Sequence, residues 1–276
     1  MNIELGIINK VGIFGRFVIG MRSLMASNQK IDDIENLYFY VQEREENPFD
    51  WVFDQTKMEN PDKKIISTIN PRLNTYKNLF GDKELLKLRR ALRDVKIKDS
   101  LLERINPDID EKTIGIHIRL TDMNVFHGHQ HGNFLYGDFR NKLVNVMKTG
   151  QYDKIYVASD NDESIEKLKK EFDIIYYDGL INRSPTESEG RQYNKRLKNN
   201  HYTQQYWEES YLEMLSLARC GGMITRLSNL NNAAIMFSRE NLKHVYGLTK
   251  EATKKPKPHL NNEYTKTRIR HARRFK

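Results

Sequence analysis

Over residues 110–248 the apolar positions follow two rhythms. Short β-branched runs are separated by stretches with a helical apolar period. Thr113-Ile-Gly-Ile-His-Ile reads as a buried strand, Tyr136 to Met147 as a helix, and Lys154-Ile-Tyr-Val-Ala-Ser as the next strand. Asp160 or Asn161 stands where a cap belongs, ahead of a helix whose Ile165, Leu168 and Phe172 share one face. Asp173-Ile-Ile-Tyr-Tyr is a third strand. A polar stretch, Asp178 to Gln205, has little periodicity, and loops of such length in compact domains are often functional or mobile. An amphipathic helix from Trp207 to Ala218, a strand opening at Gly221-Gly-Met-Ile-Thr, a helix from Asn231 to Glu240 and a short strand Lys243-His-Val-Tyr-Gly-Leu complete the series. Strand and helix alternate throughout, which predicts an α/β fold with a parallel, doubly wound sheet.

The first 110 residues repeat the pattern on a smaller scale. Asn2-Ile-Glu-Leu-Gly-Ile-Ile and Asn36-Leu-Tyr-Phe-Tyr-Val read as strands. Gly12-Ile-Phe-Gly-Arg16 reads as a turn feeding a helix that runs through Met25. Lys83 to Val95 is a helix with Leu85, Leu88, Leu92 and Val95 on its apolar face. The expected organisation is a small N-terminal α/β half (1–110), a larger C-terminal half (111–248) and a tail (249–276) rich in Lys, Pro and Asn that is expected to be disordered.

Composition narrows the function classes. A content of 38% hydrophobic and 10% aromatic residues suffices for a core, although 30% of the chain is charged. The single cysteine, Cys220, excludes a disulfide framework and fits a reducing compartment. Its place between a helix end and a strand makes it a buried structural thiol. No run approaches the roughly 20 apolar residues of a membrane span, and the N-terminus lacks the basic region and cleavage site of a signal peptide. A cytoplasmic protein is the expectation. The net charge of +9 is concentrated: residues 249–276 hold ten Lys and Arg against two Glu, which leaves the body near neutral. A nucleic-acid-binding domain carries its basic stripe on a folded face, so nucleic acid is an unexpected partner here. The tail itself suits an anionic polymer or a membrane surface, or is a plain solvated extension.

Candidate chemistry gathers at strand ends. His117-x-Arg119-x-x-Asp122 closes the 113–118 strand, and ligands of open α/β sheets bind beyond the carboxyl ends of strands. Alternation puts His117 and Arg119 on one face. A guanidinium there forks onto phosphate oxygens, and Asp122 orients it or caps the next segment. The plain alternative is an Arg–Asp ion pair. His127, His129 and His131 lie within the loop that follows. An acceptor-lining loop ranks first for them, a solvated loop second and a metal site third. Asp160, in Ala158-Ser-Asp-Asn-Asp-Glu, either caps a helix or reaches a nucleotide. Gly12, Gly15 and Arg16 make a backbone cradle, with added charge, close to a donor sugar or its phosphates, or an ordinary helix start.

His117-Ile-Arg119-Leu-Thr-Asp122 resembles the His-x-Arg-x-x-Asp motif of GDP-fucose-dependent fucosyltransferases of the core (alpha-1,6), nodulation and protein O-fucosyltransferase types. Three further stretches agree in order. Gly12-Ile-Phe-Gly-Arg-Phe-Val-Ile-Gly-Met resembles that family's glycine-rich loop and first helix. Asn47-Pro-Phe-Asp-Trp-Val-Phe resembles its Pro-Phe segment. Leu212 to Asn229 resembles its last helix-strand-Ser block. Leu120 stands where core enzymes have a second Arg, and Arg226-Leu-Ser-Asn replaces their Ser-Ser.

The resemblance, over roughly residues 10–240, implies the GT-B arrangement of two Rossmann-like halves and an inverting, metal-independent glycosyltransferase. GDP-fucose would be the donor substrate and a glycan or glycoconjugate the acceptor, with no cofactor. It implies that Arg119 neutralises the leaving β-phosphate. Ser228 and Asn229, at a helix N-terminus, would hold phosphate oxygens. Glu213 and His117 would read the nucleotide, and Asp122 or His127 would take the acceptor's proton. Members of the secretory pathway carry a membrane anchor, so a bacterial or viral enzyme, or an excised domain, is expected. Another nucleotide-sugar, or a non-catalytic nucleotide- or nucleic-acid-binding protein, is the alternative.

Overall fold

A computed structural model of the chain describes residues 1–7, 13–27, 33–42, 44–66, 88–92, 94–121, 134–186, 203–226, 228–238 and 241–248. The fold is α/β with two parallel sheets. The first contains β1 (Asn2–Ile7), β2 (Asn36–Val41) and β3 (Lys63–Ile66) in the order β2-β1-β3. The second contains β4 (Thr113–Ile118), β5 (Lys154–Ser159), β6 (Gly222–Thr225) and β7 (His244–Gly247) in the order β5-β4-β6-β7. Five longer helices accompany them: α1 (Ile13–Ala26), α2 (Tyr136–Met147), α3 (Asp162–Lys169), α4 (Gln204–Arg219) and α5 (Asn229–Phe237).

β4 is central, and all six of its residues are buried, as expected of a strand covered on both faces. On one face Ile114, Ile116 and Ile118 pack with Phe139, Leu143 and Val146 of α2 and Ile165 and Leu168 of α3. On the other face α4 comes very close. A Cβ on Gly115 would lie 2.9 Å from Leu217 Cδ2 and 3.0 Å from Cys220 Sγ, so this strand position needs a residue without a side chain. Cys220 is fully buried, its thiol donates to the Ser216 carbonyl at 3.3 Å, and burial pushes its pKa well up.

One of two apolar cores is shared by the two sheets. Phe14, Phe17, Phe49 and Phe53 from the N-terminal half meet Trp207, Tyr211 and Phe237 from α4 and α5. Phe17 stacks on Phe237 at 5.3 Å, Phe49 meets Trp207 edge-on at 5.2 Å, and Phe53 meets Tyr211 at 5.5 Å. The Pro48–Trp51 turn that presents Phe49 is held by Asn47, whose side chain accepts from Phe49 N and donates to Phe39 O at 2.7 Å.

Several boundaries differ from the sequence expectation. Ile13 to Arg16 are helical rather than a turn, because Ile13, Phe14 and Phe17 need one buried face. The strand expected at 173–177 is reduced to a single bridge between Ile175 and Tyr156. Its continuation is diverted: the Tyr177 carbonyl accepts from Arg183, and the Tyr177 hydroxyl meets Ser216 Oγ at 2.7 Å. Of the polar stretch, residues 178–186 and 203–205 are described, and α4 starts at Gln204, capped by Thr203. α5 runs Asn229–Phe237, earlier than expected at both ends, because Ser228 supplies its cap. β3 carries Lys at half of its positions and was not anticipated. Of the 83–95 helix, only a turn from residue 88 is described.

Candidate functional site

The second sheet reverses direction at one place. From β4 the chain passes to β5 on one side, whereas β6, on the other side of β4, passes outward to β7. The carboxyl ends of β4 and β6 therefore flank the crevice where open α/β sheets bind ligands. Arg119 follows β4 directly, and Arg226 to Ser228 follow β6. Arg119 is half-buried.

The strand ends are stitched together by side chains. Asp160, just past β5, accepts at Oδ1 from Leu120 N and at Oδ2 from Thr121 N, both at 3.1 Å, and Oδ2 also accepts from Thr121 Oγ1 at 2.5 Å. The helix cap expected of Asp160 or Asn161 falls to Asn161, whose side chain accepts from Ser164 N at 2.9 Å. Asp160 is thus released to brace the β4 end. Leu120 points into the core, 1% exposed.

From the β6 side, Arg226 is 1% exposed and its guanidinium carbon lies 4.8 Å from the Phe134 ring centroid. Its Nη1 donates to the Arg119 carbonyl at 3.5 Å. Asn231, wholly buried in the first turn of α5, joins three elements. Its amide NH₂ donates to Arg226 O at 2.7 Å and to Thr225 Oγ1, so its Oδ1 is the acceptor that faces His117 Nδ1 at 2.7 Å. His117 therefore carries its proton on Nδ1. Ser228 caps α5 by accepting from Asn231 N at 3.2 Å. A nine-residue helix thus begins at the β6 lip, with Asn229 as its first residue.

Glu213 lies deeper, on α4. Arg183 Nη2 donates to its Oε1 at 2.6 Å and Asn182 Nδ2 to its Oε2 at 3.2 Å. Both charged partners are almost fully buried. Burial raises the Glu213 carboxyl above its ordinary value, with Arg183 drawing it back. Burial pulls Arg183 down, but the facing carboxylate outweighs it and the net shift is upward. Arg183 keeps its charge facing Glu213, because a guanidinium gives up its proton last.

Of the residues singled out from the sequence, His117, Arg119, Asp160, Ser228 and Asn229 lie at the ends of β4, β5 and β6. Glu213 is one layer below, with protein partners on both oxygens. Arg16 and Gly15 are buried within α1, in the other half. Gly12, Asp122, His127, His129, His131 and the 249–276 tail lie outside the described residues. Among the described residues no group of three or more His, Cys, Asp or Glu is arranged to hold a metal, and no helix is long and apolar enough to cross a membrane. Sequence reasoning missed the roles of Asn231, Arg226 and Arg183. Only Asn231 left a signal, a polar side chain three residues after a Ser at a helix start.

The chain is thus an α/β protein of two parallel sheets, with polar side chains gathered at the carboxyl ends of β4, β5 and β6. No protein-family model and no curated protein sequence matches it. Among solved structures it is similar to the fucosyltransferase NodZ from Bradyrhizobium. The TM-score is 0.44 and the identity 12%, over 86% of this chain and 91% of that one.

Proposed function

We propose that the chain is a glycosyltransferase that takes its sugar from a nucleoside diphosphate, GDP-fucose first, and passes it with inversion to a hydroxyl of a glycan or glycoconjugate. The observation that carries this reading is the pairing across one crevice of Arg119, on the β4 lip, with the Ser228-capped start of α5, on the β6 lip. A leaving diphosphate needs positive charge and N–H donors fixed in advance. Arg119 supplies the first, and the first turn of α5 supplies the second. In this reading His117, with Nδ1 committed to Asn231, meets the nucleotide through Nε2, and Asp160 and Asn229 border it. Residues 111–248 form the nucleotide half and 1–110 the acceptor side, from which Gly12, Gly15 and Arg16 reach towards the donor sugar and phosphates.

In the transfer step the acceptor oxygen attacks the anomeric carbon as the bond from that carbon to the β-phosphate oxygen breaks. GDP leaves with the developing negative charge, which Arg119 neutralises. The acceptor's proton passes to a base, for which Asp122 and His127 compete. An imidazole or a carboxylate serves this purpose at neutral pH.

Thermal unfolding with GDP or UDP tests the nucleotide class. At a hundredfold excess over Kd, GDP should raise Tm by about 5–10 °C. A rise with UDP and none with GDP overturns the GDP-fucose assignment, and no rise with either overturns the nucleotide-sugar reading.

A further inference from the structure

The buried pair Arg183–Glu213 is costly to keep in a protein interior unless its geometry does something an apolar pair would not. Its contacts lead to the crevice. Besides Glu213, the Arg183 fork reaches two backbone carbonyls: Nε donates to Ser159 O at 3.2 Å, and Nη1 donates to Tyr177 O. Ser159 is the last residue of β5, immediately before Asp160. The next residue, Ser184, grips Asp160 from the other side: its N donates to Asp160 O at 3.0 Å, and its O accepts from Asp162 N at 2.9 Å. The far end of the 178–186 segment is tied to α4 as well, where Ile181 N donates to Glu209 Oε2 at 2.7 Å. Asp160, held in this way, is the carboxylate that accepts from the amides of Leu120 and Thr121, next to Arg119.

We propose that Arg183 is a positioning residue: anchored by Glu213, it straps segment 178–186 across the end of β5, fixes Asp160, and through Asp160 holds the β4 end that carries Arg119. The assignment of Arg119 to a diphosphate rests on the proposed function; the strap itself rests on the hydrogen bonds alone. Glu213 acts through Arg183, with its carboxylate turned to the guanidinium and the Asn182 amide rather than to a ligand.

Arg183→Lys separates the strap from general stability, because an ammonium keeps the charge facing Glu213 but lacks the planar fork that reaches both carbonyls. Amide hydrogen exchange should show Leu120 and Thr121 exchanging at least about tenfold faster in this variant, which corresponds to about 1.4 kcal/mol of lost protection. Amides within β4 should keep their wild-type protection. GDP should bind about tenfold more weakly. Unchanged exchange at Leu120 and Thr121 overturns the proposal. If the Lys variant does not fold, Glu213→Gln is measured in the same way: it keeps an acceptor for Arg183 and removes the anchoring charge. If GDP binds neither wild type nor variant, the nucleotide reading fails, and the exchange result still decides the strap.

Discussion

Asn231 shows how much one side chain organises. Its amide bridges the Arg226 carbonyl, the Thr225 hydroxyl and the His117 ring, so β4, β6 and α5 meet on one residue with no exposure to water. Asn231→Ala removes both donor and acceptor and leaves those three groups buried without it. The Thr225 hydroxyl still donates to the Arg226 carbonyl, so the main loss is the buried bond to His117, which costs about 1–3 kcal/mol, and denaturant unfolding should report a loss of that size. A loss under 0.5 kcal/mol contradicts the role. At this scale spacing indicated positions rather than roles: His117, Arg119 and Asp160 lie at strand ends, as the alternating pattern placed them, because a strand end fixes its neighbours' positions. Arg183 could not be placed in this way, since it lies in a stretch without periodicity, and its partner Glu213 is 30 residues away. Glu213 was singled out by the resemblance as a nucleotide-reading carboxylate, but only the fold reveals that a buried guanidinium faces it.

At the scale of elements, the apolar rhythm was a good guide to strands and helices in the second half. β4, β5 and α2 fall where the pattern puts them. The misplaced boundaries have local causes. The 173–177 strand fails because Tyr177 is drawn to Arg183 and Ser216 instead of extending the sheet. β3 escaped notice because an edge strand with Lys at half its positions lacks an apolar signature. The cap of α5 offers a separation of structure from binding. Ser228→Asp keeps an acceptor for Asn231 N, so stability should stay within about 0.5 kcal/mol of wild type. A carboxylate at that lip would repel a diphosphate, so GDP affinity should fall by about tenfold or more. Wild-type affinity in the Asp variant would remove α5 from the phosphate site.

At the scale of the molecule, the aromatic cluster of Phe17, Phe49, Phe53, Trp207, Tyr211 and Phe237 lies in a core shared by both sheets, while a second core covers the other face of β4. The two sheets are therefore held together by apolar burial, and the candidate site lies at the strand ends of the second. Pattern alone predicted an α/β fold, but not that one core is shared by both sheets, because contacts between distant segments leave no periodic trace. Charge takes a similar division: the near-neutral body contains the crevice, and eight of the nine net positive charges lie in residues 249–276. The central claim concerns Arg119 and a departing diphosphate. It is tested most directly by measuring GDP release from GDP-fucose, without acceptor, by the wild-type protein and by Arg119→Ala. The wild type should release GDP above the uncatalysed rate, and the variant should be slower by about 10²-fold or more with its fold intact. Equal release by a folded Arg119→Ala protein, or no release by the wild type, would contradict it.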